Sequence, residues 1–324
     1  MLLSLDQLDR ACGAVLASAA GDALGAAYEF GCATVGPNGP QMLGGGLGNF
    51  APGEWTDDTS MAVGILRVAA ARHELTSDAA LTDIARQWST WYDGNPPDIG
   101  IQTRTIFSRT GSQPTATELR DTAYALHGKT GRTAGNGSLM RTAAVALPHL
   151  DDADTVAAAA RAISDLTHTD ARAGEACVLW SLAIRHAILE AELDLRVGLP
   201  WLEDDARAWW LARIEEAEAS GPGRFTQNAW VVEAFQAAWS AIVHTPTPPG
   251  GMPTAHLRGS LATAIAIGHD TDTVAAIAGA LLGARWGASA VPNEWRRMLH
   301  GWPGLDAEDL VELATRATLG GLGR

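Results

Sequence analysis

The amino-acid sequence predicts an all-α protein, and three observations support that prediction. Apolar residues recur at helical spacing through most of the 324-residue chain, and no convincing alternation of apolar and polar residues indicates a strand. No two-residue turn joins two β-branched runs, so no hairpin is predicted. The segment 274–287 is apolar almost all round, which is typical of a helix at the centre of a bundle.

The elements follow one another along the chain with clear boundaries. A first helix is predicted over 5–20, where apolar residues recur every three to four positions. Residues 31–55 form a loop, because glycines and prolines crowd the stretch, and a loop of that length in a compact domain is often functional. Helical spacing returns at Thr59, and a Pro-rich loop is predicted at 244–254. The other predicted helices cover 78–92, 115–127, 138–147, 152–164, 170–190, 201–219, 227–243, 255–267, 272–286, 293–299 and 306–319.

Composition limits the class of protein. With 47% hydrophobic residues and no charge block or Ser/Gly linker, residues 1–324 are expected to form one domain. The net charge of −14 argues against a general nucleic-acid partner or an anionic membrane surface. Three distant cysteines predict neither a disulfide framework nor a thiolate zinc site. The N-terminus does not resemble a signal peptide, and no apolar run reaches ~20 residues. We therefore expect a cytoplasmic monomer without a membrane partner.

Two acidic clusters near opposite ends of the chain are the strongest chemical signal. They read Thr56-Asp57-Asp58-Thr59 and Asp270-Thr271-Asp272-Thr273. Adjacent carboxylates repel one another, and a divalent cation between them removes the repulsion. Carboxylate and hydroxyl oxygens suit hard ions such as Mg²⁺, Mn²⁺ or Ca²⁺. The alternative is that each cluster caps a helix, where the dipole favours an acid by ~0.3–1 kcal/mol. One acid would then cap each helix, and the second acid would have no structural task.

Other candidate residues are weaker when each is considered alone. Glu29 is typical of a solvated acid at a helix end, Asp98 of a loop acid, and His168 of a packed or capping histidine. Residues 135–141 form a turn before a helix, and amides at such a helix start can hold phosphate. The chain has no His-Glu-x-x-His zinc motif, no Gly-x-Ser-x-Gly elbow and no phosphate-binding P-loop.

Together these segments resemble the ADP-ribosylglycohydrolases, a family that includes the dinitrogenase-reductase-activating glycohydrolases. They occur in the family's order and span nearly the whole chain. The matching segments are Gly21-Asp22-Ala23-Leu24-Gly25 with Glu29-Phe30, Trp55 to Met61, Asp98-Ile99-Gly100, Gly135 to Arg141, Ser164 to His168, and Asp270 to Ala284.

The resemblance implies an all-α fold around a site for two Mg²⁺ ions, with Mn²⁺ as the other option. The metal ligands it implies are Thr56, Asp57, Asp58, Asp270, Asp272 and Thr273. It assigns proton transfer to Glu29 or Asp98, a choice that stays open. It assigns substrate contacts to Asp98, Gly100, Thr133, Gly135, Asn136, Gly137 and His168. Two departures are His269, where many members carry a small residue, and Thr133-Ala134, where some carry an aromatic residue.

The implied reaction is hydrolysis of the bond between C1″ of ADP-ribose and an acceptor, through an oxocarbenium-like transition state. The expected partner is an ADP-ribosylated protein or a small ADP-ribose conjugate. Arginine or another protein side chain is the favoured acceptor, and serine, a nucleic-acid end and esters stay open. A non-catalytic ADP-ribose-binding relative would be expected to have lost ligands, whereas both clusters are intact here. A Mg²⁺-dependent nucleotide pyrophosphatase would present several Glu-x-x-Glu pairs on its helices, and the glutamates Glu215, Glu216 and Glu218 supply one pair with that spacing, Glu215 with Glu218.

Overall fold

The computed structural model of the protein describes residues 2–72, 74–247 and 252–321. These residues are predominantly helical, which confirms the predicted all-α class. The α helices are α1 (Leu5–Gly25), α2 (Asp57–Arg72), α3 (Asp78–Asp93), α4 (Ile101–Phe107), α5 (Ala116–Thr130), α6 (Ala153–Asp165), α7 (Ala171–Glu190), α8 (Asp204–Ala219), α9 (Val231–Val243), α10 (Pro253–Ala266), α11 (Thr271–Trp286), α12 (Asn293–Met298) and α13 (Ala307–Gly321). The 3₁₀ helices cover Ala26–Gly31, Asn136–Ser138, Thr142–Ala144, Leu147–His149, Arg196–Trp201, Pro222–Arg224 and Ala288–Ala290. Strands β1 (His300–Gly301) and β2 (Leu305–Asp306) form a small antiparallel hairpin.

Helices α1 and α11 form an antiparallel pair at the centre of the fold, with their backbones in contact. A Cβ added to Gly283 would lie 1.9 Å from the carbonyl oxygen of Gly13, and one added to Gly21 would lie 2.2 Å from that of Ala275. Glycine at these positions therefore lets the two helices approach more closely than larger side chains would allow. The contact continues to Gly25, which lies against the backbone of Asp272. The pairing thus brings the end of α1 to the start of α11.

The first helix is buried over most of its length. By length and composition, Leu5–Gly31 is apolar enough to cross a membrane, yet its apolar window lies entirely inside the protein. One connected hydrophobic core includes residues from α1 through α13. Residues from both ends of the chain therefore belong to the same core.

The structure departs from the sequence prediction in several places. The helix predicted over 138–147 is wrong: this stretch contains short 3₁₀ turns. Pro148 explains part of the difference, because proline lacks the amide hydrogen and disfavours α geometry in the residue before it. Helix α4 and the hairpin were missed, since seven and two residues are too few to establish a period. In the predicted 244–254 loop, residues 248–251 lie outside the described part of the chain, and α10 begins at Pro253.

Candidate active site

The two acidic clusters meet at the junction of α1, α2 and α11. Carboxylate oxygens of Asp22, Asp58 and Asp272 lie within 4.8 Å of one another, and so do those of Glu29, Asp270 and Asp272. Asp272 belongs to both groups, so the groups adjoin. The hydroxyl of Thr273 also donates to Oδ2 of Asp58 at 3.4 Å, which connects positions 215 residues apart. The fold therefore gathers a set of oxygen donors suited to a hard divalent cation.

Asp22 holds the start of α2 in place, a role that the sequence reasoning missed. Its carboxylate accepts hydrogen bonds from the amide of Thr56 at 3.0 Å and from the amide and hydroxyl of Thr59 at 3.0 and 2.6 Å. The alternative in which an acid of this cluster caps α2 is wrong, because the hydroxyl of Thr56 accepts from the amide of Asp58 at 3.4 Å and Asp22 accepts from the amide of Thr59. Asp57 instead accepts from the amide of Gly100 at 3.3 Å. Both acids of α2 are thereby left for the site.

The start of α11 is organised by a buried pair of asparagines. The side-chain nitrogen of Asn136 donates to Oδ2 of Asp270 at 2.7 Å and to the carbonyl of Asn228 at 2.9 Å. Oδ1 of Asn228 accepts from the amide of Asp270 at 3.1 Å. Asp270 is the N-cap residue of α11, but its side chain makes no capping bond. The amide of Asn136, predicted to contact substrate, thus orients an acid, and Asn228 is a further positioning residue that the sequence did not reveal.

Burial of these acids close to one another raises their pKa values. Desolvation raises the pKa of Asp22 to about 6 and, with repulsion from Asp98, that of Asp57 to about 7. It also raises the pKa of Asp58 and of Asp272 well above the usual value. Oδ1 of Asp58 is buried and has no hydrogen-bond partner among the described residues. An unpartnered buried carboxylate is costly, so the donor set fits a cation held between the clusters.

Glu29 lies inside the site, where the family resemblance places it, and is not the solvated acid that its position alone suggested. It is 6% exposed and sits at a kink in the 3₁₀ helix that extends α1. The next residue, Phe30, has φ 45°, and its amide donates to the carbonyl of His269 at 2.7 Å. Burial, followed by repulsion from Asp270, raises the pKa of Glu29 to about 9. His269, one of the two departures from the family pattern, is exposed and does not line the cavity beside Glu29 and Asp98.

A cavity of about 370 Å³ opens beside the acids. Both candidates for proton transfer, Glu29 and Asp98, line it. The other predicted site residues on its wall are Asp57, Gly100, Gly135, Asn136, Gly137, His168, Asp270, Asp272 and Thr273. Thr56, Asp58 and Thr133 do not line it. Thr133 is instead buried beside the wall, where its carbonyl accepts from the side chain of Gln102 at 3.2 Å.

Hydrogen bonding fixes the proton of His168. Nη2 of Arg141 donates to the hydroxyl oxygen of Thr167 at 2.8 Å. The hydroxyl proton then has Nδ1 of His168, 2.8 Å away, as its acceptor among the described residues. Nε2 therefore carries the imidazole proton. Burial and the Arg141 charge hold the pKa of His168 well below its usual value. A Cβ on Gly137 would lie 3.2 Å from this Nε2, so the neutral N–H donor of His168 packs against the turn that contains Gly137.

Comparisons with known proteins agree with this architecture. The ADP-ribosylglycohydrolase family profile matches residues 3–322. The ADP-ribosyl-(dinitrogen reductase) glycohydrolase of Rhodospirillum rubrum is 28% identical over 293 residues, which cover 89% of each chain. The ADP-ribosylarginine hydrolase Tri1 of Pseudomonas putida (strain GB-1) is 28% identical over 89% of this chain and 73% of its own.

Similarity extends to a eukaryotic relative and to a solved structure. The ADP-ribosylhydrolase ARH3 of Homo sapiens is 28% identical over 78% of this chain and 76% of its own. A structure described as an ADP-ribosylglycohydrolase-related protein complex matches with a TM-score of 0.70 and 25% identity, over 98% of this chain and 99% of that chain. The chain belongs to the ADP-ribosylglycohydrolase family, and it is a hydrolase.

Proposed function

We propose that the protein hydrolyses the bond between C1″ of ADP-ribose and a guanidinium nitrogen of a modified arginine side chain, in a reaction that depends on divalent metal. The observation that carries the proposal is the convergence of Asp58, Asp270 and Asp272 beside a cavity from positions more than 200 residues apart. The names of two relatives support the arginine acceptor or a protein substrate: an ADP-ribosylarginine hydrolase and a glycohydrolase acting on ADP-ribosylated dinitrogen reductase.

Two groups of acids would hold the metal. Asp22, Asp58 and Asp272 offer one set of oxygens, and Glu29, Asp270 and Asp272 offer the other. The proposal is two Mg²⁺ ions, with Mn²⁺ as a substitute, because all these donors are oxygens. When bound, the ions supply positive charge that orients the ribose hydroxyls and lowers the pKa of a bound water.

Proton transfer falls to Asp98 in this proposal. Glu29 belongs to a metal-capable group, whereas Asp98 lines the cavity outside both groups. Asp98 accepts a proton from the attacking water while the water oxygen forms its bond to C1″. The C1″–N bond breaks with its electron pair on the guanidine nitrogen, and the proton that Asp98 took from water passes to that nitrogen, which yields arginine and ADP-ribose and restores the carboxylate. His168 lines the same cavity beside Gly137, and its Nε2 hydrogen is available to a bound substrate.

The pyrophosphatase alternative receives no support from the positions of the glutamates. On α8, Glu216 pairs with Arg224 at 2.9 Å, and Glu218 pairs with Arg196 at 2.6 Å. These carboxylates are thus engaged with arginines and do not line the acid-lined cavity. The alternative of a non-catalytic ADP-ribose-binding protein is disfavoured because the whole acidic donor set is present.

The test is release of ADP-ribose from an ADP-ribosyl-arginine peptide, followed by chromatography. We expect turnover with Mg²⁺ or Mn²⁺, none after chelation, and recovery when metal is restored. Asp98→Asn is expected to lower kcat by ~10²–10⁴, the usual contribution of a general base. Asp93→Asn, an exposed acid at the end of α3, is the matched control and should keep wild-type activity. Metal-independent turnover, or equal activity of the two variants, would refute the proposal.

A further inference from the structure

A second cavity adjoins the first and shares two of its acids. It has a volume of about 290 Å³, and Asp57 and Asp98 line both cavities. The two carboxylates therefore stand between a space for ADP-ribose and a separate space beyond it. We call this second space the acceptor cavity; the residues that matter for its chemistry are Phe50, Glu54, Trp55, Trp91, Asp98 and Trp302.

Three distant chain segments build the acceptor cavity. Glu54 comes from the long loop before α2, Trp91 from the end of α3, and Trp302 from the turn of the β1–β2 hairpin. The amide of Trp55 donates to the carbonyl of His300 at 3.0 Å, and its indole nitrogen donates to the carbonyl of Trp302 at 3.3 Å. These bonds tie the hairpin to the loop, so the aromatic wall is fixed before any ligand binds.

The ring of Trp55 is also held sterically. A Cβ added to Gly301 would lie 2.4 Å from the indole nitrogen of Trp55, so only glycine fits at this position of the hairpin. Trp55 is 1% exposed and Trp91 is 4% exposed. Trp55 and Trp91 therefore back the acceptor cavity as packed rings, and Trp302, which is only partly buried, is the indole most open to a ligand.

The chemistry of the wall selects a cation. Among the described residues that line the acceptor cavity, every charged side chain is acidic: Glu54, Asp57 and Asp98. Aromatic faces attract a cation through their quadrupole, most strongly the indole. A guanidinium is planar, stacks on aromatic rings and donates to carboxylates, so arginine suits this wall better than a compact ammonium does. A neutral serine acceptor would gain neither the cation–π contact nor the charge-assisted hydrogen bond that this wall offers.

The carboxylate of Glu54 is available to such a ligand. Its Oε2 accepts from the amide of Ala51 at 2.7 Å, which fixes the side chain. Within the described part of the chain, Oε1 accepts no hydrogen bond. Glu54 therefore offers one oriented oxygen to an incoming N–H group.

We infer that the acceptor cavity binds the guanidinium of the leaving arginine, with Glu54 as the specificity-determining acid and Trp302 and Trp91 as its aromatic walls. This inference rests on the proposed function, since it requires that ADP-ribose occupy the first cavity. It makes Asp98 the group at the boundary where the scissile bond lies. It also makes the enzyme selective for a cationic acceptor over a neutral one.

The experiment compares two matched peptides, one ADP-ribosylated on arginine and one on serine, with wild type, Glu54→Gln and Trp302→Leu. Both variants are expected to lower kcat/KM for the arginine peptide about tenfold or more, because a charge-assisted hydrogen bond or a cation–π contact is lost. Activity on the serine peptide and the Kd for free ADP-ribose should stay within about twofold. Glu190→Gln, an exposed glutamate at the far end of α7, is the control and should match wild type.

A direct binding measurement separates this inference from the proposed function. Wild type with saturating ADP-ribose should bind N-acetyl-arginine amide, and Glu54→Gln should bind it about tenfold more weakly. If wild type cleaves the arginine peptide but Glu54→Gln binds N-acetyl-arginine amide as well as wild type does, the acceptor cavity is wrong and the proposed function stands. Parallel losses on arginine and serine peptides would also overturn the cavity assignment. If wild type binds ADP-ribose but cleaves no arginine peptide, the proposed function fails, and the inference fails with it.

Discussion

Replacing Gly25 with alanine tests whether the contact between α1 and α11 positions the acids. An added Cβ would lie 2.5 Å from Cα of Asp272 and 2.6 Å from its amide nitrogen. Carbon atoms pack at about 3.5–4.0 Å, so the two backbones must separate by about 1 Å. Overpacking of this kind costs about 1–3 kcal/mol of unfolding free energy. For a chain of this length that corresponds to a fall in Tm of about 2–5 °C. Because Asp272 belongs to both acid groups, the shift should also raise the Mg²⁺ concentration needed for activity.

The assay pairs thermal unfolding with a Mg²⁺ titration of turnover, and two glycines serve as controls. A Cβ added at Gly13 would lie 2.4 Å from the carbonyl oxygen of Gly283, in the same helix pair. Gly13 precedes Gly25 by 12 residues, which is about 18 Å along α1 and therefore far from the acids. Gly13→Ala should lower Tm and leave the Mg²⁺ requirement unchanged. Gly128→Ala meets nothing within 4 Å and should raise stability by about 0.5–1 kcal/mol. The reasoning is refuted if Gly25→Ala and Gly13→Ala shift the Mg²⁺ requirement equally, or if Gly25→Ala unfolds like wild type.

Two further predictions follow from the electrostatics of the site. Because the folded-state pKa of Asp57 is raised to about 7 and that of Glu29 to about 9, the fold favours the protonated acids. The metal-free protein should therefore lose stability as pH rises from about 4 to 9, and saturating Mg²⁺ should restore it, as measured by urea unfolding with chelator or Mg²⁺. Thr167→Val removes a hydroxyl that accepts from a buried guanidinium, which should cost about 1.5–3 kcal/mol. The same change frees the ring of His168 to carry its proton on Nδ1, which nitrogen NMR of the imidazole would detect.

The pH prediction and the histidine prediction can each be contradicted by one result. Metal-free stability that rises from pH 5 to pH 9 would mean that the acids are not buried together. For the histidine, an Nδ1–H imidazole in wild type would show that the hydroxyl of Thr167 points elsewhere. Gln102→Asn, which shortens a neighbouring side chain that bonds the carbonyl of Thr167, is the control and should leave the tautomer unchanged.

The meeting of the two acidic clusters could be predicted because paired carboxylates at two helix starts have no structural use apart. Asp22 could not be found in the same way. It is the one acid in the stretch 11–25, which consists mostly of small residues, and its partners Thr56 and Thr59 are 34 and 37 positions away. Its charge in an otherwise apolar stretch was the available signal.

The place of Glu29 in the site followed only from the family resemblance, because its position taken alone is typical of a solvated helix end. Its position depends on a bond from the amide of Phe30 to the carbonyl of His269, which only the folded chain brings together. The 138–147 segment shows the converse error. Its apolar residues are buried, but burial alone does not specify an α helix, and 3₁₀ turns bury them equally. Helical periodicity therefore located the core better than it located the backbone geometry at the site.

The most direct measurement of the central claim is the anomalous scattering of Mn²⁺ in crystals of the protein. We predict peaks coordinated by Asp22, Asp58 and Asp272 and by Glu29, Asp270 and Asp272, and their loss in Asp272→Asn. Saturating Mn²⁺ that supports turnover while no peak lies between these carboxylates would contradict the account.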